Sequence, residues 1–230
     1  MLWYKAWLET RWRFTYLIGS ILVVWLMLLW LPSLSSVPAS RQWVGLQLGS
    51  VLLYMFAAIY LAGGGINSQT LYAVTSGFHG SMLFTLSLPV SRRRLLFVRA
   101  GLGAILTCSL VVCMAGYILF RRAEPVGALQ SLADIARAVV CTMAVYALSV
   151  LLACVLDEMW QFMGACLIWF AVFLLGSRFA PVARFSPIRG MSLSSHPHSS
   201  ATPWAAVITS AAVCVIFTCS SILILRRKEY

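Results

Sequence analysis

The chain has 230 residues, of which 61% are hydrophobic and only 10% are charged. Soluble domains are charged at about a quarter of their positions, so this composition excludes an ordinary soluble protein and indicates an integral membrane protein. The net charge of +11 comes from 17 lysines and arginines that flank apolar segments, a pattern typical of membrane anchoring rather than of nucleic-acid binding.

The chain begins with an aromatic stripe at helical spacing, which includes Trp3, Trp7 and Phe14, while charged residues lie off it. This pattern predicts an amphipathic helix over residues 1–15 that lies flat in the interface between lipid and water. An aromatic belt ahead of the first span explains the same residues equally well. A signal peptide cleaved near Ala39 is a weaker interpretation, because the region before the apolar run is long for one.

A helix needs about 20 apolar residues to cross a membrane. Six stretches meet this requirement: 16–34, 44–65, 95–120, 136–156, 159–176 and 204–225. Only Asp157 and Glu158 separate the fourth and fifth, but one helix over both would have about twice the length that a crossing needs, so we expect a tight hairpin. The predicted fold is an all-α integral membrane protein, with six transmembrane helices in a single domain.

The distribution of basic residues predicts the orientation of these helices. Six spans place both termini on one side, and that side holds ten of the seventeen basic residues: Lys5, Arg11, Arg13, Arg92, Arg93, Arg94, Arg99, Arg226, Arg227 and Lys228. The other side holds Arg41, Arg121, Arg122, Arg137, Arg178, Arg184 and Arg189. Because basic residues prefer the cytoplasmic side, we expect cytoplasmic termini.

Two connections are long. The cytoplasmic segment 66–94 exceeds the few residues that a reversal needs, which favours a docking surface for a partner. Three arginines at its end open the third span, where they would also pair with lipid phosphates. On the outer side, residues 177–203 are rich in proline and serine, and we expect an irregular loop there with a short, partly embedded helix near residues 185–191.

Familiar enzyme signatures are missing from the sequence. The only lysines, Lys5 and Lys228, do not follow a glycine, so the chain has no Walker A loop, and it has neither HExxH nor GxSxG. The central parts of the six spans contain no ionisable side chain of the kind that ion-coupled transporters use. We therefore predict no catalytic residue, no bound cofactor and no enzymatic activity in this chain.

Cysteine and glycine are interpreted as packing residues. The seven cysteines lie within apolar runs, with no CxxC pair and no histidine at ligand spacing, which argues against both a disulfide framework and a metal site. Gly101 and Gly103 form a GxG without the third glycine of a nucleotide-binding fingerprint. Both lie at the entry of a membrane helix, and we interpret them as packing residues.

The segment around the arginines resembles the cytoplasmic boundary motif of ABC-2 type transporter permeases. In that family a Gly-Thr/Ser pair precedes a Leu-x-x-Pro-x-Ser-Arg element that leads into the third span. The matching positions here are Gly80, Ser81, Thr85, Leu86, Ser87, Leu88, Pro89, Val90, Ser91 and Arg92. The basic tail "ILILRRKEY" is also similar to that of the family, but Phe78 and His79 stand where members often carry an acidic residue.

The resemblance implies a permease subunit of an ATP-binding-cassette transporter in the inner membrane of a bacterium, and we expect an exporter. It would pair with a second permease subunit, dock two ATPase subunits beneath it and contact membrane lipids. Residues from about 69 to 85 would form a coupling helix. The implied ATPase-coupling residues are Gly80, Ser81, Leu88, Pro89, Arg92, Arg93 and Arg94, with Asp157 and Glu158 as a lesser contact. A solvated turn explains the two acidic residues at least as well.

Two other interpretations stay open at this point. A membrane scaffold or assembly factor would show the same spans and would carry no substrate. A membrane-bound enzyme would have its site in the outer loop around Arg184, Arg189, His196 and His198. The apolar and aromatic helix faces suit drugs, lipids and hydrophobic peptides alike, so the sequence does not define a substrate.

Overall fold

The computed structural model describes residues 3, 4, 7, 10, 11, 13–23, 39–62, 92–120, 127–156, 158–192 and 204–227. These residues form eight helices and no strand. In chain order they are α1 (Arg13–Val23), α2 (Ala39–Ala62), α3 (Arg92–Phe120), α4 (Ala128–Val155), α5 (Glu158–Arg178), α6 (Ala180–Phe185), α7 (Pro187–Met191) and α8 (Trp204–Arg227).

Four of these helices contain an apolar stretch long enough to cross a membrane. The stretches are Phe97–Leu119 in α3, Ala128–Val155 in α4, Met159–Arg178 in α5 and Trp204–Ile224 in α8. Helix α1 and the apolar part of α2, Leu48–Ala62, are shorter. The predicted α-helical membrane protein is confirmed at this level, whereas the count of six crossings stays a prediction.

The fourth and fifth predicted spans are separate helices. Helix α4 ends at Val155 and α5 begins at Glu158, so the helical structure is interrupted beside the acidic pair. The two helices pack against each other. At its other end α4 begins at Ala128, eight residues before the predicted boundary at 136. Hydropathy reports only the apolar part of a helix, whereas alanine, leucine and glutamine extend α4 through a polar turn.

Helix α4 is the centre of the fold. It packs against α2, α3, α5, α7 and α8. Many of its inward positions are small: Ala138, Cys141, Ala144, Ala147, Ser149, Ala153 and Cys154 are all buried. Small side chains allow helix backbones to approach closely, and such approach is the main source of attraction between helices in lipid. The sequence of α4 therefore explains its central position.

Buried hydroxyl groups in the bundle bond mainly to their own helices. Thr107, Thr142, Ser149 and Ser210 each donate to the carbonyl oxygen four residues earlier, at distances of 2.6 to 2.9 Å. A polar side chain in an apolar environment must find a partner, and the i−4 carbonyl is always within reach. These residues can therefore be buried without a polar partner on another helix.

Helix α3 meets α2 and α4 at Gly103. The phenol of Tyr146 donates to the carbonyl oxygen of Ala100 at 2.7 Å, and it lies directly against the Gly103 backbone. A Cβ atom added at Gly103 would collide with this phenol and would lie 2.9 Å from the carbonyl oxygen of Leu61 in α2. Gly103 is therefore a packing residue, as predicted, and it marks a close contact between helices.

The N-terminal segment lies against the same end of the bundle. The ring of Trp3 lies beside Gly101, and the rings of Trp7 and Phe14 are 6.4 Å apart between centroids. The guanidinium of Arg13 lies 5.9 Å from the ring centre of Tyr60 in α2, within cation–π range. These contacts join the aromatic stripe to α2 and α3.

All seven cysteines are free thiols, as their positions within apolar runs predicted. Cys141 and Cys154 are buried in α4, where each serves as a small packing residue.

Candidate functional site

The structure describes only part of the predicted coupling region. Gly80, Ser81, Leu88, Pro89 and Asp157 lie outside the described residues. The others fall at helix starts: Arg92, Arg93 and Arg94 form the first turn of α3, and Glu158 is the first residue of α5. Arg94 is exposed. Among these residues, the start of α3 is the described part of greatest functional interest.

The three arginines at this helix start are unfavourable for the helix itself. A helix N-terminus carries partial positive charge and prefers acidic residues, with a typical effect of about 0.3–1 kcal/mol per charge. The first turn of α3 contains no acidic residue and three basic ones. Helix stability therefore does not explain the arrangement.

A buried ion pair lies near the start of α4. A guanidinium nitrogen of Arg137 is 3.0 Å from a carboxylate oxygen of Asp134, and both side chains are only 5% exposed. The two residues are three positions apart, so they lie on the same face of the helix. The sequence pattern Asp-x-x-Arg is the only advance signal for the pair, because Arg137 by itself looks like any other charge at a membrane boundary.

Arg137 also binds the last loop of the chain. Its Nε donates to the carbonyl oxygen of Gly190 at 3.1 Å, and a terminal nitrogen donates to that of Ser192 at 3.0 Å. These carbonyls lie at the C-terminal end of α7, where helix carbonyls lack partners within the helix. Arg137 thus caps α7 across a sequence separation of more than fifty residues.

Gly190 is the point of closest approach between α7 and α4. A Cβ atom added at Gly190 would collide with the sulfur of Cys141 and would lie 3.7 Å from the Cβ of Ala206 in α8. The hydroxyl of Ser210, also in α8, lies 3.5 Å from the Cys141 sulfur. Three helices therefore meet around one small side chain and one glycine.

We refer to this arrangement as the loop junction, which consists of Asp134, Arg137, Cys141, Gly190, Ser192 and Ser210. It fixes the short helices between α5 and α8 onto the central helix. The short helix expected near residues 185–191 is present as α7, and α6 precedes it. Residue 186 separates them, and its hydroxyl accepts a hydrogen bond from the amide of Ile188 as an N-cap.

The outer-loop residues considered for an enzyme are not brought together in the described structure. Arg184 and Arg189 are exposed on α6 and α7, and His196 and His198 lie outside the described residues. Across the described ranges, no group of three His, Cys, Asp or Glu side chains has the positions needed to hold a metal ion.

Two buried polar atoms lack a hydrogen-bond partner among the described residues: the hydroxyl of Tyr54 in α2 and the indole nitrogen of Trp169 in α5. Both side chains are almost completely buried. Gln161 in α5 does bond to α2, since its amide donates to the carbonyl oxygen of Ile59 at 3.3 Å.

Comparisons with protein-family models, with curated proteins and with solved structures found no match to this chain.

Substituting Gly190 tests the loop junction. We expect Gly190→Ala to destabilise the protein by about 1–3 kcal/mol, because the new methyl group overlaps the Cys141 sulfur. Adding Cys141→Ala should recover much of the loss, since it removes the colliding atom. Thermal unfolding in detergent measures both. Gly127→Ala is the control, because nothing lies within 4 Å of a Cβ added there; equal losses at 190 and 127 would contradict the packing.

Proposed function

We propose that the chain is a permease subunit of an ATP-binding-cassette transporter, acting as an exporter. It would cross the inner membrane six times with both termini in the cytoplasm, pair with a second permease subunit and take its energy from two separate ATPase subunits. The observation that carries the proposal is the start of α3 at Arg92, directly after the Leu-Pro-Val-Ser element that resembles the family's boundary motif.

The charge at this helix start supports the same assignment. Three arginines at a helix N-terminus act against the helix dipole, and an anionic surface outside the helix would offset that unfavourable effect. Lipid phosphates provide such a surface at any cytoplasmic boundary, and an ATPase docked on residues 66–94 would provide another. The long segment before Arg92 favours a protein partner in addition to lipid.

The bundle offers a route for motion that begins at the docking surface. Helix α3 is continuous over 29 residues, so a force applied at Arg92 would displace the whole helix as a rigid body. Gly103 lies eleven residues, about 17 Å, along it and touches both α2 and Tyr146 of α4. Near its other end α4 holds α7 through Arg137. In the proposed mechanism, closure of the ATPases displaces α3, and α4 carries the displacement to the last loop.

Charge reversal at the helix start tests the docking assignment. We expect the triple substitution of Arg92, Arg93 and Arg94 by glutamate to reduce co-purification of a P-loop ATPase more than about tenfold, because like charges at a contact cost several kcal/mol. The measurement is a nanodisc pull-down from the native host, with mass spectrometry and a vanadate-sensitive ATPase assay.

The matched control reverses Arg121 and Arg122, an arginine pair on the predicted opposite side. It should leave the association unchanged. Unchanged association in the triple variant, with thermal unfolding still normal, would reject the docking assignment. If the wild-type protein yields no ATPase under conditions that preserve a known ABC complex, the scaffold interpretation becomes the better one.

A further inference from the structure

A groove of about 360 Å³ opens between α2 and α5 beside the short helices. Its walls are mostly apolar: Leu48 and Val51 come from α2, and Val172 and Phe173 come from α5. Leu48 and Phe173 are 50% and 44% exposed, so the groove is open to its surroundings. In a membrane those surroundings are lipid tails at this depth, since Val172 lies six residues, about 9 Å, from the end of α5.

One end of the groove is polar and positively charged. Arg189 lines it, together with Ser186 and Ser192 of the short helices. The Arg189 side chain is exposed and has no hydrogen bond or ion pair to any described residue. An arginine at the end of an apolar groove is complementary to a molecule with an anionic head and an apolar tail.

Few acidic residues are available to neutralise the polar end of the groove at Arg189. On the predicted outer side the sequence has only Glu124 and Asp134 against seven basic residues. Asp134 is occupied by Arg137 in the buried pair. Arg178 and Arg184 are exposed as well, but they do not line the groove. The positive charge of Arg189 at the groove end therefore favours binding of an anion from outside the chain.

We propose that the groove binds an anionic phospholipid of the surrounding bilayer, with one acyl chain between α2 and α5 and the phosphate on Arg189. The lipid would be a resident structural ligand that supports the short helices beside the loop junction, with which the groove shares Ser192. This inference does not depend on the proposed transport function, because it uses only the groove, its charge and its depth.

Native mass spectrometry of the purified full-length chain tests the proposal. After delipidation, the protein is incubated with phosphatidylglycerol or with phosphatidylcholine of matched chains. We expect one phosphatidylglycerol bound per chain and weaker binding of phosphatidylcholine. Arg189→Gln should lower phosphatidylglycerol affinity about tenfold, the usual effect of losing a charge-assisted hydrogen bond. Arg184→Gln is the matched control, because that exposed arginine does not line the groove.

A second variant distinguishes the contribution of the acyl chain to lipid binding from that of the phosphate. Val172→Phe adds a ring to the groove wall and should weaken both lipids equally, while thermal unfolding and circular dichroism report whether the fold is intact. Equal losses in the Arg184 and Arg189 variants would overturn the assignment of the phosphate. No discrete lipid adduct in the wild-type protein, or a dimer without lipid that Val172→Phe dissociates, would overturn the proposal itself.

Discussion

Replacing Arg137 with methionine should destabilise the protein by about 3–5 kcal/mol, because the buried carboxylate of Asp134 then loses the guanidinium that pairs with it. The two carbonyl groups of α7 lose their donor at the same time. For a chain of this size the loss corresponds to a fall of about 10 °C or more in the midpoint of thermal unfolding. Unfolding in detergent, followed by circular dichroism, measures it.

The contribution of each partner follows from a double-mutant cycle. Asp134→Leu alone should cost less than Arg137→Met, because Arg137 keeps the carbonyls of Gly190 and Ser192 as acceptors. The double variant should recover most of the loss, since neither charge is left buried, and the remainder reports the two carbonyls. Arg178→Met is the control, because that arginine is exposed at the end of α5. If Arg178→Met is as costly as Arg137→Met, the buried pair is not what stabilises this region.

The same substitution should loosen the short helices locally. Arg137 is the described side chain that caps α7, so its loss frees α7 from α4 before the bundle unfolds. A cysteine placed at Ser192 in a background without the native cysteines should then react faster with a water-soluble maleimide. An unchanged labelling rate would mean that packing around Gly190 holds the short helices without Arg137.

Gly103→Ala should destabilise the protein by about 1–3 kcal/mol despite the higher helix propensity of alanine. The added methyl would meet the Tyr146 phenol and lie 2.9 Å from the Leu61 carbonyl oxygen, and this carbonyl belongs to the backbone of α2 and has little freedom to move. Helix α3 must therefore shift away from α2 and α4. Thermal unfolding measures the loss.

Gly116→Ala is the matched control for this prediction, because it lies in the same helix with nothing within 4 Å of an added Cβ. That variant should be neutral or more stable by about 0.5–1 kcal/mol. Combining Gly103→Ala with Tyr146→Phe should recover only part of the loss, since the Leu61 carbonyl remains in place. Full recovery would show that the phenol alone limits the space at Gly103. Equal stability changes in Gly103→Ala and Gly116→Ala would contradict the close contact at Gly103.

Single-residue patterns predicted several features correctly. Apolar runs long enough to span a bilayer correctly predicted four helices that are able to cross a membrane, namely α3, α4, α5 and α8. The acidic pair at 157 and 158 correctly predicted that α4 and α5 are separate helices, because placing two charges inside one apolar membrane helix is unfavourable in free energy. Cysteines without partners in sequence proved to be free thiols.

Other features could not follow from local patterns. The extension of α4 to Ala128 escaped hydropathy, since a helix continues where backbone hydrogen bonds and propensity allow, whether or not its residues are apolar. The pairing of Arg137 with Gly190 and Ser192 joins positions more than fifty residues apart, and no local pattern encodes a contact of that separation. The predicted coupling residues before Arg92 lie outside the described structure, so their role rests on the motif.

The sequence by itself determined the class of the protein, because the free energy of placing side chains in lipid depends on each residue's own chemistry and is summed along the chain. Tertiary structure alone decided which helix is central, which glycines lie at close helix contacts, and that Arg99 and Arg137 are buried. These properties depend on distances between helices, and the distances are fixed by small side chains such as Gly103, Cys141 and Gly190 that allow backbones to meet.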